Sequence, residues 1–456
     1  MHAREVSAAG KRSNGGEYRK SLKGAEMMRK SANAIAAIVV TLTLSAAVAA
    51  QTTITFYDPR PNQALSNLMD RLVAEFEAQN PDIRIEHVHI AGYNQINEQT
   101  LVAWAGGAPP NVVIIEQSRW FGFALDGMFM PIDSFLERDP AFSLDDIYPG
   151  IRDHLSWDGK LWGLPYNIST PLIYFNRDLF RRSGLEPVAP RTWDEILAKS
   201  RAIARDTNGD SNPDVWGIDF YAWGWLFEAW LGQNGARVAA PDGRRYTFDS
   251  DEAVEAMEFT QALVLQHRVA RQGTGINDFW AGRLGMTERS TASLADYSRN
   301  AANNNIDMWV APLACQKECY APIGGGNIHI LNTGTPQQRE AAWRFVKFLF
   351  DTENLALMGS TTGYMAGRAS SIQSDILQHH FSDEPRALVT YQQLVHARPR
   401  AKVPNWAGDI ADMISSFATR QHRDGVNVRQ ELTEMARRAN IMLEEWYASR
   451  ANRPGR

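Results

Sequence analysis

The chain has 456 residues, 44% of them apolar, with 14 Trp, 13 Tyr and 19 Phe, enough to build more than one domain around large cores. Its formal charge of −5 hides an asymmetry: residues 1–50 hold eight Lys/Arg and three Glu, so the remainder carries 39 basic against 49 acidic residues, a net −10. A body that acidic excludes nucleic acid as the expected partner, because phosphate contacts need clustered Lys and Arg.

The basic N-terminal part reads as a targeting segment. In "MMRKSANAIAAIVVTLTLSAAVAAQTT" a positive start is followed by an apolar run from Ala34 to about Leu44 and a small-residue exit at Ala46–Ala50. That is the layout of a secretory signal peptide over residues 1–50, with Met27 or Met28 as the natural start and residues 1–26 as an over-extended reading frame. The strongly apolar run is shorter than the ~20 residues that span a bilayer.

Strands and helices then alternate. "TTITFYDP" (52–59) is β-rich; Leu65, Leu68, Leu72 and Phe76 keep helical spacing; "IRIEHVHI" (83–90) alternates as a strand. A helix over 96–107 stops at Gly106-Gly107, and "PPNVVIIE" (109–116) is a buried strand ending in Glu116. This order predicts an α/β fold with a mostly parallel sheet. Asp158-Gly159 between apolar residues predicts a hairpin. Thr192 with Glu195 three residues on predicts a capping box opening a helix. The C-terminal third is largely helical.

Three features carry chemistry. "DTNGDSNPD" places Asp206, Asn208, Asp210 and Asp214 at alternate positions of a turn, the pattern of a calcium-binding loop, although an EF-hand would need a carboxylate where Gly217 stands. The same residues also favour a plain polar turn. Because the loop joins helix to strand, any Ca²⁺ there is expected as a structural staple rather than a required cofactor. The two cysteines, Cys315 and Cys319, are expected to pair, since an exported chain meets oxidising conditions. Trp157, Trp162, Trp193, Trp223 and Trp225 fall at element edges, where ring faces can stack on sugars or polyols, although any one Trp is more often core. The motifs of serine hydrolases, zinc proteases and P-loop nucleotide binding are absent.

The series "WDGKLWGLPYNISTPLIYFNRDLFRRSGLEPVAPRTWDEI", "LGMTERSTASLAD", "IGGGN", "AAWRFVKFLF" and "STTGYMAGR" resembles family 1 extracellular solute-binding proteins of bacterial ABC importers, and within them the glycerol-3-phosphate-binding branch. The resemblance covers residues 52–445 and implies two α/β lobes joined by hinge strands, with the helical C-terminal region added. Residues 51–165 and 288–350 are expected in lobe 1, and 166–287 and 351–456 in lobe 2. It implies a periplasmic monomer, not an enzyme, that traps a small solute by lobe closure and delivers it to a membrane permease.

By the same resemblance the ligand-facing positions fall on Tyr93, Glu116, Ser169, Trp193, Ser290, Gly325 and Tyr364. The C-terminal Arg that clamps phosphate in the branch would fall near Ile410, where no Arg stands. Arg289 is expected to substitute, but Glu288 beside it favours hydroxyls, and a sugar or polyol becomes at least as good an expectation as glycerol phosphate. The rival class, a secreted carbohydrate hydrolase, would need two cleft carboxylates, for which Glu116 and Glu288 are the candidates.

Overall fold

The computed structural model describes residues 51–59, 63–210, 212–404 and 409–451, the Asp409 side chain excepted. The signal-peptide reading of residues 1–50 falls outside them. No helix among the described residues is long and apolar enough to cross a membrane.

Eleven strands form two mixed sheets. They are β1 (Thr52–Pro59), β2 (Ile83–Ile90), β3 (Val112–Glu116), β4 (Leu164–Ser169), β5 (Pro171–Asn176), β6 (Trp216–Phe220), β7 (Ala270–Gln272), β8 (Leu284–Ser290), β9 (Met308–Ala311), β10 (Gly324–Ile330) and β11 (Met365–Ala366). The six-stranded sheet runs β11-β4-β10-β3-β1-β2 and the five-stranded sheet β9-β5-β8-β6-β7. The consecutive strands β1, β2 and β3 pair in parallel, as strand–helix–strand alternation requires.

The division between lobes differs from the expected one. Strands β8 and β9 both pair antiparallel with β5, so residues 288–290 and 308–311 stay with the second sheet instead of the first. Conversely, β11 pairs with β4, so Met365 and Ala366 belong to the first sheet although residues after 350 were expected in the second lobe. Local sequence pattern could not show this, because the pairing partners lie more than a hundred residues away.

Each sheet has its own core. In the first, Phe56 and Phe76 both meet the edge of Phe345, each at 5.1 Å between centroids, which docks helices Gln63–Gln79 and Pro336–Leu349 onto β1. In the second, Trp193 packs between Trp230 at 4.9 Å and Phe259 at 4.8 Å. The C-terminal helices Asp409–Asp424 and Val428–Ala451 pack on Asp251–Leu265 of this second body.

The chain passes between the sheets three times: at Thr170, after β9, and after β11. The buried side chain of Gln393 ties the three passages together. Its Nε2 donates to Thr170 Oγ1 at 2.7 Å, and its Oε1 accepts from the Leu313 amide at 2.6 Å. A buried amide side chain holds this place only because both of its ends are satisfied.

Local expectations from sequence appear in detail. Asp158 and Gly159 both take positive φ, 51° and 69°, in the turn between Ser156–Trp157 and Lys160–Leu161, the geometry for which Asp-Gly is selected. Thr192 accepts from the Glu195 amide at 3.2 Å at the start of helix Trp193–Ile203. The Glu195 carboxylate reaches the Arg191 amide at 2.8 Å rather than that of Thr192, so the capping is split over two residues. Cys315 and Cys319 form the disulfide.

Candidate functional site

A cavity of about 480 Å³ lies between the two bodies, a size suited to a small solute. It gathers Tyr93, Glu116, Ser169, Ser290, Gly325 and Tyr364, six of the eight residues expected to face a ligand. Their positions follow from the fold. Glu116 ends β3 and Ser169 ends β4, at the strand termini where α/β sheets leave crevices. Ser290 ends β8 and caps the following turn by accepting from the Ala292 amide at 3.2 Å.

Gly325 has φ +93°, and a Cβ there would stand 1.8 Å from the Asn167 carbonyl oxygen. Only glycine lets β10 approach β4 so closely, beside the register shift at Gly326/Asn327. The neighbouring Gly324 leaves room for the Trp225 ring, which would otherwise lie 2.5 Å from a Cβ.

Tyr93 and Tyr364 meet through their hydroxyls, and Tyr93 Oη also accepts from Asn167 Nδ2 at 2.7 Å. Burial pushes the Tyr364 phenol up to about 12 and the Tyr93 phenol well above its ordinary value, so both remain neutral donors and acceptors.

Two expected residues are elsewhere. Trp193 is 1% exposed in the second core, with Nε1 donating to Gln233 Oε1 at 2.7 Å. It shares the buried stripe of its helix with Ile196, Ser200 and Ile203, so its face is turned from the cleft. Arg289 does not line the cavity. Its Nη2 pairs with the buried Asp219 at 2.7 Å and donates to Thr274 Oγ1 at 3.1 Å, so it has no phosphate-clamping role to spare. Glu288 is likewise absent from the cleft. It accepts from Trp230 Nε1 at 2.9 Å, and burial raises its carboxyl to about 7. The pair Glu116 and Glu288 therefore cannot act together on one glycosidic bond.

The cavity also contains residues that sequence reasoning did not place there. Trp223, 38% exposed, and Trp225 come from the second body at 4.9 Å and a steep angle, giving one accessible and one buried ring. Their sequence signal, edge-placed Trp in "AWGW", was visible; their convergence on the cleft was not.

Arg400 was missed altogether, while Ile410, the position where an Arg was sought, is fully buried. Arg400 Nε donates to Glu228 Oε2 at 2.8 Å and Nη1 to Glu116 Oε1 at 3.2 Å. Burial works against the charge of this guanidinium, but Glu228 and Glu116 more than restore it, and its pKa stays raised. The second Glu116 oxygen accepts from the Ser118 amide at 2.9 Å and from the Ser118 hydroxyl. Burial raises the Glu228 carboxyl even though Arg400 pulls it down.

Arg119 is the other cationic wall. Among the described residues it makes no ion pair; its Nη2 lies 3.4 Å from Asn94 Oδ1. Burial lowers its pKa, and Arg400 lowers it further, against the attraction of Glu116.

The Asp206–Asp214 loop lies outside the cleft. Asp206 Oδ1 accepts from the Asn208 and Gly209 amides at 3.1 and 2.7 Å, and Asp214 accepts from Thr207. Among the described residues Asp206, Asp210 and Asp214 do not bring three carboxylates to one point, so Asn208 and backbone carbonyls would have to complete a calcium shell.

Comparison with known proteins agrees with this architecture. The family model for bacterial extracellular solute-binding proteins matches residues 62–356. The chain is 24% identical over 387 residues to the sn-glycerol-3-phosphate-binding periplasmic protein UgpB of Yersinia pseudotuberculosis, covering 79% of this chain and 84% of that one. It is 25% identical over 388 residues to UgpB of Escherichia coli O1:K1, covering 80% and 85%. Among solved structures, UgpB of Mycobacterium tuberculosis in complex with glycerophosphocholine superposes with a TM-score of 0.74 at 23% identity, over 87% of this chain and 99% of that one. The sugar-binding protein MalE of Xanthomonas citri does so with 0.75 at 21% identity, over 88% and 100%. The expected two-lobed binding-protein fold is the one found, and the chain belongs to the bacterial extracellular solute-binding protein family.

Proposed function

We propose that this protein is the periplasmic binding component of an ABC importer and that its cleft takes a glycerol phosphate ester. The observation that carries the ligand class is Arg119, a cleft guanidinium with no ion pair among the described residues. A phosphate oxygen is the partner that such a group lacks, and charge-assisted bonds of this kind are the strong ones. Glu116, Ser169 and Ser290 then face the glycerol hydroxyls, and Tyr93, Tyr364 and Trp223 supply ring faces and hydroxyl partners. A sugar or polyol was expected at least as strongly because no Arg stands near Ile410; Arg119 on the cleft wall supplies a cation from another direction and supports the phosphate ester instead.

Binding closes the two bodies over the solute, and the closed monomer docks on its membrane permease after export by the N-terminal segment. No cofactor takes part. The Asp206–Asp214 loop is read as a calcium staple outside the cleft, supported by its alternating carboxylates alone; Ca²⁺ should raise thermal stability without altering ligand preference.

A thermal-shift screen tests the ligand class, because a ligand that binds the native state raises its apparent stability. Glycerol-3-phosphate and glycerophosphodiesters should raise the transition, with maltose and free glycerol giving no shift. A shift with neutral sugars alone would overturn the assignment.

A further inference from the structure

A second cluster of ligating side chains lies in the first body, apart from the cleft. Asp58 on β1 stands opposite His89 on β2, and His87 projects from the same face two residues earlier. Asp58 is completely buried, and the two imidazoles are 9% and 14% exposed. Asp58 Oδ2 lies 3.4 Å from His87 Nε2 and 3.2 Å from His89 Nδ1. None of the three lines the cavity described above.

Four atoms at these positions have no hydrogen-bond partner among the described residues: both Asp58 oxygens, His87 Nε2 and His89 Nδ1. A buried carboxyl group that receives no hydrogen bond is costly, so this arrangement calls for a compensating group. The far side of each ring faces a second carboxylate. Asp70, on helix Gln63–Gln79, has its Oδ1 2.6 Å from His89 Nε2 and 3.4 Å from His87 Nδ1. With each ring neutral and its proton on the nitrogen that faces Asp70, His87 Nε2 and His89 Nδ1 present lone pairs toward Asp58. In that tautomer two lone pairs and a carboxylate oxygen face one another, the donor set that a cation takes.

We propose that Asp58, His87 and His89 bind a divalent transition-metal ion, zinc above all, with Asp70 orienting both imidazoles from behind. The spacing fits. Nitrogen and oxygen ligands about 2.0–2.2 Å from a tetrahedral zinc stand about 3.3–3.6 Å from one another, and the measured separations to Asp58 are 3.4 and 3.2 Å. The Asp70 contacts have the form of the carboxylate–histidine–metal relay that fixes tautomer and ring orientation at such centres. Imidazole with carboxylate suits zinc, whereas calcium and magnesium take oxygen-only shells. Three protein ligands leave a fourth position for water. His87 also stacks on Phe56 at 5.1 Å, so an ion here ties β1 and β2 to the aromatic core.

The test is equilibrium dialysis of the untagged, EDTA-stripped protein against Zn²⁺ in excess Ca²⁺, with elemental analysis. One zinc per chain is expected, and H87Q and H89Q should each weaken binding at least tenfold while keeping the wild-type circular dichroism spectrum. If either variant fails to fold, ¹⁵N-histidine spectra of the wild type decide: one equivalent of zinc should perturb two of the ten imidazoles. Absence of stoichiometric zinc, unchanged binding in both folded variants, or a wild-type spectrum insensitive to zinc would overturn the site.

Discussion

Glu116 and Glu228, from opposite bodies of the molecule, share one guanidinium: Arg400 donates Nη1 to the first at 3.2 Å and Nε to the second at 2.8 Å. Arg400 and Glu228 are 5% and 3% exposed at their side chains, so this bridge works in a low-dielectric setting at the edge of the cleft.

Removing the shared cation leaves two carboxylates without their partner. Arg400→Ala should therefore lower unfolding stability by about 3–5 kcal/mol, the range for breaking a buried ion pair. Urea denaturation measures this. Arg400→Ala with Glu228→Gln should recover part of the loss, because the buried charge goes with its partner; equal losses in single and double variants would show that the bridge is not the cause.

Arg119 gives the opposite signature. It has no ion pair among the described residues, so Arg119→Ala should move stability little while weakening a phosphate ester at least tenfold. Calorimetric titration reads the affinity and a thermal melt the stability. Unchanged affinity would remove Arg119 from the anion site.

The two tryptophans should separate in the same way. Trp193→Phe removes the bond to Gln233 and some core volume, so it should destabilise by about 1–3 kcal/mol and leave affinity alone. Trp223→Ala, at an accessible ring on the cavity wall, should reduce affinity at least fivefold with little loss of stability. Reversed results would restore Trp193 to the site.

Acid should destabilise the protein. Burial holds His154 near 3, with the Lys402 and Arg400 charges helping; burial likewise holds His329 and His422 near 4. Below the ordinary histidine value of about 6.5 the unfolded chain takes up these three protons while the folded chain does not. Stability is therefore full above about pH 6.5 and falls as pH drops from there toward 4. Glu288, raised to about 7 by burial, pushes the other way, binding one more proton when folded than unfolded between about pH 4.5 and 7. The three imidazoles outweigh Glu288, and each unbalanced proton changes stability by about 1.4 kcal/mol per pH unit. Melting temperatures from pH 7 to 5 should fall; a flat profile would mean that the three imidazoles titrate normally.

Much of the fold was legible because its signals are local. Alternation marked β2, helical spacing marked Gln63–Gln79, and Asp158-Gly159 marked its hairpin. The lobe boundaries were not, since the pairing of β11 with β4 joins residues about two hundred positions apart. Within the site, Glu116 and Gly325 could be argued from strand ends and backbone approach. Trp193 carried a contrary signal, because its spacing to Ile196, Ser200 and Ile203 put it on the buried stripe. Arg400 had no local mark: what defines it is the meeting of Glu116 and Glu228, which only the tertiary fold brings together. The His-x-His of β2 was readable as two imidazoles on one face, but its buried Asp58 comes from the neighbouring strand.

Tyr93, Glu116, Arg119, Trp223 and Tyr364 line the cavity between the two bodies, which is proposed here as the solute site. Isothermal titration of the wild type and of Tyr364→Ala with glycerophosphocholine, glycerol-3-phosphate and maltose tests that assignment. The prediction is saturable one-to-one binding of at least one glycerol phosphate ester by the wild type, lost or weakened at least tenfold in the variant. Binding of equal strength in both proteins, or no binding of either phosphate ester, would contradict it.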